Sequence, residues 1–481
     1  MKKILLMLLV ISISAAMVLT LALTGCKSAG TGETAATETA AATAAATEAT
    51  TAAIEATETT AAAEPVKLSI WWWGEQEAPG MENWLKETID LFTKDHPNVS
   101  IEQVLQTTEG LVPAVQSAIQ TQSGADILTP WPGFDVVSNY ESFVPMKDII
   151  SPDVLQRQLI TDLVTFKGDA YGIPIYSLVN GFLYNKELFA KAGIENADNY
   201  VPKDWADFLA TCEKLKNAGI TPITMGFKDL FAADWLYGGI GLQWHTEQDA
   251  LACLEGTAKY TDEKMWGWLV PIYELGQKGY MNDDLLSVDL YQGGIENFAN
   301  GNAAMTYVPD SLITGIAADQ LGDKLGMFLW PVIGNSEYKD FVNMSNGGTW
   351  TVGKWSKNPE VAGQFIEFTR TAERMKSFYE TTGNFPADSS FVPESFALKV
   401  KEDQWNIRKI GHYGPYISVM FPWDVQSTGT YIAPINCISV QSTPQEAAEM
   451  VQKAIDTYRT TNPDKIQVWN DWLSSLEGYY K

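Results

Sequence analysis

The sequence is poor in the residues on which most metalloenzymes, hydrolases and nucleic-acid binders depend. Three histidines (His96, His245 and His412) are scattered over 481 residues. No His-Glu-x-x-His, Gly-x-Ser-x-Gly or phosphate-cradling Gly-Lys-Ser/Thr loop occurs. Zinc, serine-nucleophile and nucleotide chemistry therefore lack their signatures, and no cofactor or metal is expected. Cysteine is as scarce, at Cys26, Cys212, Cys253 and Cys437. No pair has metal-ligand spacing, and the three beyond Cys26 cannot all pair with one another. Basic residues are outnumbered, 33 Lys and Arg against 59 Asp and Glu, for a net charge of −26. That balance excludes a nucleic-acid partner, whose phosphates require clustered Lys and Arg, and it favours solubility.

A second scarcity is local. Residues 27–64 contain no aromatic side chain and, after Lys27, no basic one; they are almost wholly Ala, Thr, Glu and Gly. Such a segment cannot bury enough apolar surface to offset its ordering entropy, and it reads as a solvated acidic stalk. It follows a start with the anatomy of a secretory signal: Met1-Lys2-Lys3, then an apolar run over residues 4–23 broken by Ser and Thr alone. The run is long enough to cross a bilayer, so an uncleaved anchor is the competing reading. The tetrapeptide Leu23-Thr24-Gly25-Cys26 decides between them, because it resembles the bacterial lipobox. The resemblance implies cleavage before Cys26 and lipidation of that cysteine, a firm membrane attachment when several acyl chains bury their CH₂ groups. The expected plan is a signal peptide over 1–25, a lipid-anchored stalk over 26–64 and a globular part over 65–481.

The roughly 420 residues of the globular part suffice for more than one lobe. Strands and helices alternate from its start. Residues 66–71 read as a strand, Met81–Asp95 as a helix with Leu85, Ile89 and Phe92 on one face, and residues 99–104 as a second strand. A helix over 111–122 and a third strand over 126–129 follow. The rhythm predicts a parallel sheet with helices on its faces. Later helix starts are marked by Asp204 ahead of a stripe of Trp205, Phe208, Cys212 and Leu215, which also predicts a buried Cys212 thiol. Asn358-Pro359, Thr443-Pro444-Gln445-Glu446 and Asn462-Pro463 are further start signals. The stripe after Pro359 runs through Val361, Phe365, Phe368 and Met375.

The order of short motifs is more telling than any one of them. Leu68-Ser69-Ile70-Trp71 comes first, then Phe92-Thr93-Lys94-Asp95-His96-Pro97 and Gly124-Ala125-Asp126-Ile127-Leu128. Tyr171-Gly172-Ile173-Pro174, Tyr184-Asn185-Lys186-Glu187-Leu188-Phe189 and Gly301-Asn302-Ala303-Ala304-Met305 follow. Gly347-Gly348 and Thr382-Gly383-Asn384-Phe385-Pro386 close the series. From about residue 66 to the C-terminus this set resembles the extracellular solute-binding proteins of ABC importers, in the sugar-binding family that includes maltose-binding protein. The resemblance implies an α/β fold of the periplasmic-binding-protein type II, two lobes joined by crossovers, and a ligand clamped in the cleft by hinge closure. It implies one lobe from about 66–180 and 341–385 and a second from about 181–340 and 386–481. It also implies permease subunits of an ABC transporter as partners.

Independently of that resemblance, 17 Trp favour a carbohydrate ligand. Flat rings cover the C–H faces of sugars, while carboxylates and amides bind their hydroxyls. Trp73 lies just past the first strand's carboxyl end, where open α/β sheets bind ligands, and so does Glu75, which matches an acidic ligand contact of the family. Trp131 and Asp135 occupy the loop after the third strand. Tyr176 sits near the first crossover and Trp350 near a second, while Trp71 reads as core. Trp235 follows a strand near Ile223-Thr224-Met225-Gly226, with a helix-core role as its alternative. Trp423 and Asp424 lie in a loop without a helical stripe. Asp310 stands where maltose-type relatives often carry a ring, which leaves the identity of the sugar open. The competing functions are a surface glycosidase or lyase, a binder of another small solute such as a polyol, and a glycan-binding adhesin.

Overall fold

The computed structural model describes residues 64–313, 315–333, 342–409, 413–414 and 420–476. Cys26, the signal segment and all of the stalk except Glu64 lie outside the described residues. Residues 62–481 cluster as one compact unit. Among the described residues, no helix is long and apolar enough to cross a membrane.

The chain opens as its hydrophobic pattern dictates. Strand β1 (Val66–Trp72) alternates, burying Leu68, Ile70 and Trp72 on one face. Helix α1 (Met81–Asp95) lays Trp84, Leu85, Ile89 and Phe92 against that face. Strand β2 (Val99–Leu105), helix α2 (Thr108–Thr121) and strand β3 (Ile127–Leu128) follow. Both β2 and β3 pair with β1 in parallel, with Ile70 opposite Ile127 and Trp71 opposite Leu128. The first sheet is completed by β4 (Ile173–Pro174) and β10 (Thr349–Val352), in the order β2-β1-β3-β10-β4. One strand departs from the expected parallel arrangement: β10 runs opposite to β3. It enters from the second sheet beside the carboxyl end of β3, so it can only run back along it.

The second sheet is built on β5 (Tyr176–Asn185), ten residues that are all buried, and β5 runs directly into helix α3 (Lys186–Lys191). β7 (Ala303–Pro309), β8 (Leu325–Phe328), β9 (Val342–Asn346) and β11 (Phe385–Pro386) pair with it antiparallel. β6 (Thr221–Thr224) lies parallel to β7, and β12 (Tyr413–Gly414) parallel to β9. The chain passes from the first sheet to the second through Ile175 and returns through Gly347-Gly348. These two crossings are bonded together: Ile175 N donates to Gly348 O at 2.8 Å and Gly347 N to Tyr176 O at 2.9 Å.

The helix starts follow their sequence signals with two exceptions and one division. Asp204 accepts from Asp207 N ahead of α4 (Trp205–Asn217), whose Cys212 is buried. Thr443 and Glu446 form a reciprocal capping box at the helix Pro444–Thr461. Asn358 makes no side-chain capping bond to α6 (Pro359–Thr369), and Asn462 makes none to the short turn Pro463–Lys465 that precedes the last helix. The stripe expected to reach Met375 is split, because Thr371 starts a separate helix, α7 (Ala372–Thr382). Cys212, Cys253 and Cys437 are buried free thiols.

Candidate ligand cavity

The turn after β1 needs glycine. Gly74 has φ 112°, and its carbonyl accepts from Glu77 N and Ala78 N at 3.0 and 2.7 Å. This turn carries Trp73 and Glu77 to the wall of a cavity of about 210 Å³ at the carboxyl ends of β1 and β3. The loop after β3 supplies Trp131 and Asp135. The Trp73 and Trp131 rings sit 3.9 Å apart at 53°, and Trp73 Nε1 donates to Thr129 O at 3.1 Å, which fixes the pair. From the second sheet come Leu178 on β5 and Ser345, Asn346 and Gly347 at the end of β9. Helix α5 (Ala232–Ile240) presents Asp234 and Trp235 from its first turn, with Phe231 just before it. The remaining wall is a helical stretch beginning at Trp423, where Trp423, Gln426 and Tyr431 face the cavity. That stretch contains a π-helical turn, Gln426–Thr430, and a second π-helical turn, Leu290–Ile295, carries Tyr291 to Glu77. Such wide turns recur at functional sites.

Two of the carboxyls are far from their ordinary state. Burial pushes Glu77 up to about 7, and the Tyr291 hydroxyl, which donates at 3.4 Å, offsets this in part. Burial likewise raises Asp135 to about 7. Rings, buried carboxyls and an amide thus converge on one space. Such a wall stacks on a flat apolar face and bonds a rim of hydroxyls.

Of the residues singled out in the sequence, Trp73, Trp131, Asp135, Trp235 and Trp423 are brought together here. Trp71 packs against the core, as read. The other five are placed elsewhere. Glu75 accepts from Gly80 N and Glu82 N, each at 2.7 Å, and so caps α1. Tyr176 is buried behind the cavity, its ring against Gly347. Trp350 is fully buried beneath the first sheet. Asp310 is buried against Arg408 and accepts from Val179 N at 2.9 Å. Asp424 is exposed and lies off the wall. The sequence reading missed Glu77, Phe231, Asn346, Gln426 and Tyr431. Glu77 carried a usable signal, an acid one turn beyond a ligand-loop glycine; the π-helical residues carried none.

Residues 87–407 match the model of the bacterial extracellular solute-binding protein family. An uncharacterized ABC transporter extracellular-binding protein of Pyrococcus horikoshii is 30% identical over 145 residues, 29% of this chain and 33% of that protein. The chain thus spans about a third of that relative's length. The multiple sugar-binding protein of Streptococcus mutans is 20% identical over 322 residues, 63% of this chain and 72% of that protein. A solved chitin oligosaccharide binding protein matches the fold with a TM-score of 0.73 at 22% identity, over 82% of this chain and 98% of that one.

Proposed function

Since the chain belongs to the bacterial extracellular solute-binding protein family, we propose that it captures a mono- or oligosaccharide and delivers it to the permease of an ABC importer. The observation that carries this reading is the cavity wall, where the Trp73–Trp131 pair, Trp235 and Trp423 stand with buried carboxyls and the Asn346 amide. Sugar-binding relatives and a chitin oligosaccharide binder of the same fold support it. The cavity residues Trp73, Glu77, Trp131, Asp135, Trp235 and Trp423 form the proposed binding set. Glu75, Tyr176, Asp310 and Trp350 support the surrounding backbone. Binding proceeds without turnover of the sugar.

The two lobes are assigned to about 66–180 with 341–385 and to about 181–340 with 386–481, the residues 176–180 and 342–346 next to the divisions lying on the second sheet. The change of sheet at Ile175 and at Gly347-Gly348 supports a hinge at those crossings. Cleavage before Cys26 and lipidation of its thiol hold the protein on the outer face of the cell membrane, and residues 27–64 serve as its spacer.

Tryptophan fluorescence titrated against a panel of sugars tests the carbohydrate reading. A saturable change is expected with at least one sugar, and silence across the panel overturns the assignment. Labelled glycans incubated with the protein should be recovered intact; cleavage would turn the reading toward a glycosidase or lyase. Cys26→Ala should abolish processing and membrane retention, read by fractionation.

A further inference from the structure

Glu77 falls in the first assigned lobe, but its cover falls in the second. It stands in the turn that Gly74 opens after β1, and 6% of it is exposed. Tyr291, on the π-helical turn Leu290–Ile295, reaches across from the second lobe and donates to Glu77 Oε1 at 3.4 Å. That turn is tied to its own lobe: Leu290 N donates to Asp229 Oδ2 at 3.0 Å, and Gln292 N to Asp289 Oδ1 at 2.6 Å. The second lobe meets the Glu77 turn again at Gly315, where an added Cβ would stand 3.5 Å from Pro79 Cγ. The carboxyl is thus fixed on one side of the cleft and shielded from the other.

The titratable groups that face Glu77 are Tyr291 and Tyr176. Asp229 lies beyond Tyr291, and Asp310, paired with Arg408, lies beyond Tyr176. Asp135 and Asp234 line the same cavity, while Glu75 turns away onto the start of α1. Burial is the larger cause that pushes Glu77 up to about 7, and the Tyr291 bond opposes it. Below neutrality the shielded group is therefore a neutral acid, and its O–H is a donor that a sugar oxygen accepts.

Resting on the carbohydrate and hinge readings above, we infer that capture of a neutral sugar takes up a proton from solvent at Glu77, because closure of the second lobe shields that carboxyl. With the lobes apart, water reaches Glu77 and it ionises as an ordinary carboxylate does. With the lobes together it holds its proton up to neutrality. A carboxylate and a solvent proton give a carboxyl, and no other bond changes. The closed form binds the proton more tightly, so acid favours closure. Capture therefore strengthens as pH falls from 8 through 7 towards the ordinary carboxylate range, and is level above and below that window. Asp135 is half-buried and contributes less.

The test titrates glucose, galactose, maltose, cellobiose and lactose calorimetrically into the full chain at pH 6 and pH 8, each in two buffers of different ionisation enthalpy. For a sugar that binds, the heat at pH 6 should vary with the buffer as uptake of roughly 0.9 proton per sugar requires, and affinity should be about tenfold higher than at pH 8. Tyr291→Ala removes the cover contributed by the opposite lobe and should cut the uptake and level the two affinities. Tyr291→Phe keeps the ring in place and should retain both effects. Should Tyr291→Ala fail to fold, Glu77→Gln, which has no proton to gain, should lose most of the uptake, and the wild-type heats still decide. Equal affinities with heats indifferent to the buffer overturn the proton inference and leave the carbohydrate reading standing. Uptake undiminished in Glu77→Gln overturns the assignment to Glu77. Absence of binding by all five sugars at both pH values overturns the inference and the carbohydrate reading together.

Discussion

At Glu77 a ligand-binding role and stability pull in opposite directions. Its folded-state pKa, about 7, lies above the ordinary carboxylate value because the group is buried. The stability tied to this group is therefore complete below the unfolded value and is lost as pH rises through 7. Glu77→Gln removes the loss. In the unliganded protein at pH 8 it should raise unfolding free energy by up to about 3 kcal/mol, with little change near pH 4. Denaturant titrations at the two pH values measure this, and an equal effect at both would refute it. Asp135 shifts the same way, but it is half-buried and should show less. Trp131→Ala, by contrast, removes a ring from the cavity wall and should weaken sugar binding by roughly tenfold, about 1.4 kcal/mol. The placement of Glu77 explains a limit of sequence reading. Two acids follow β1, and the nearer, Glu75, matched the family's contact. The start of α1 has Gly80 at its cap, with φ 95° and no side chain to satisfy the free N–H groups. Glu75 supplies that service with both oxygens. Choosing between the two acids required knowing which of them turns back onto the start of α1, a matter of local backbone geometry that residue spacing alone does not fix.

Among the elements, the crossings depend on a buried polar knot. Arg408, at the end of α8 (Lys399–Arg408), donates from Nη1 to Asp310 Oδ2. Its Nε and Nη2 donate to Ser177 Oγ and Ser177 O, both at 2.9 Å. Its guanidinium lies 4.6 Å from the centre of the Phe385 ring. The knot thus ties β5, β11 and the end of β7 to one helix. Asp310→Ala leaves a buried guanidinium without its carboxylate and should cost about 3–5 kcal/mol in unfolding free energy. Adding Arg408→Leu should recover part of that cost, because the second change removes the stranded charge. A double mutant no more stable than Asp310→Ala would show that the two residues do not act as a pair. The individual elements were largely legible: β1, α1, β2 and the Thr443 cap follow from periodicity and local chemistry. The direction of β10 was not, because it is set by where the chain re-enters the sheet. The same blindness applied to Tyr176 and Trp350. Each stands at a crossing that resembles a loop in sequence, yet the crossing strands are themselves interior, and large rings there fill the core.

For the molecule as a whole, the proposed capture mechanism requires the crossings to bend together. Ile175 and Gly347-Gly348 are joined by two backbone hydrogen bonds, so neither can turn without the other. Gly347 also faces the cavity, and the Tyr176 ring is packed so closely on it that an added Cβ would fall 1.9 Å from Cε2. The position therefore couples the wall of the site to the hinge. In the wild type, a bound sugar should reduce the radius of gyration in small-angle scattering and raise thermal stability by mass action, by about 2.7 kcal/mol at a hundredfold excess over Kd. Gly347→Ala must displace the ring or the crossing. It should lower affinity by reducing the fraction of molecules able to close, since apparent affinity scales with that fraction. Tyr176→Ala in the same chain removes the obstructing ring and should restore part of the affinity. Recovery in the double mutant distinguishes a hinge obstruction from simple damage to the wall. If the wild type shows no contraction at a saturating concentration of a sugar that it binds, capture occurs without closure, and the crossings are struts, not hinges.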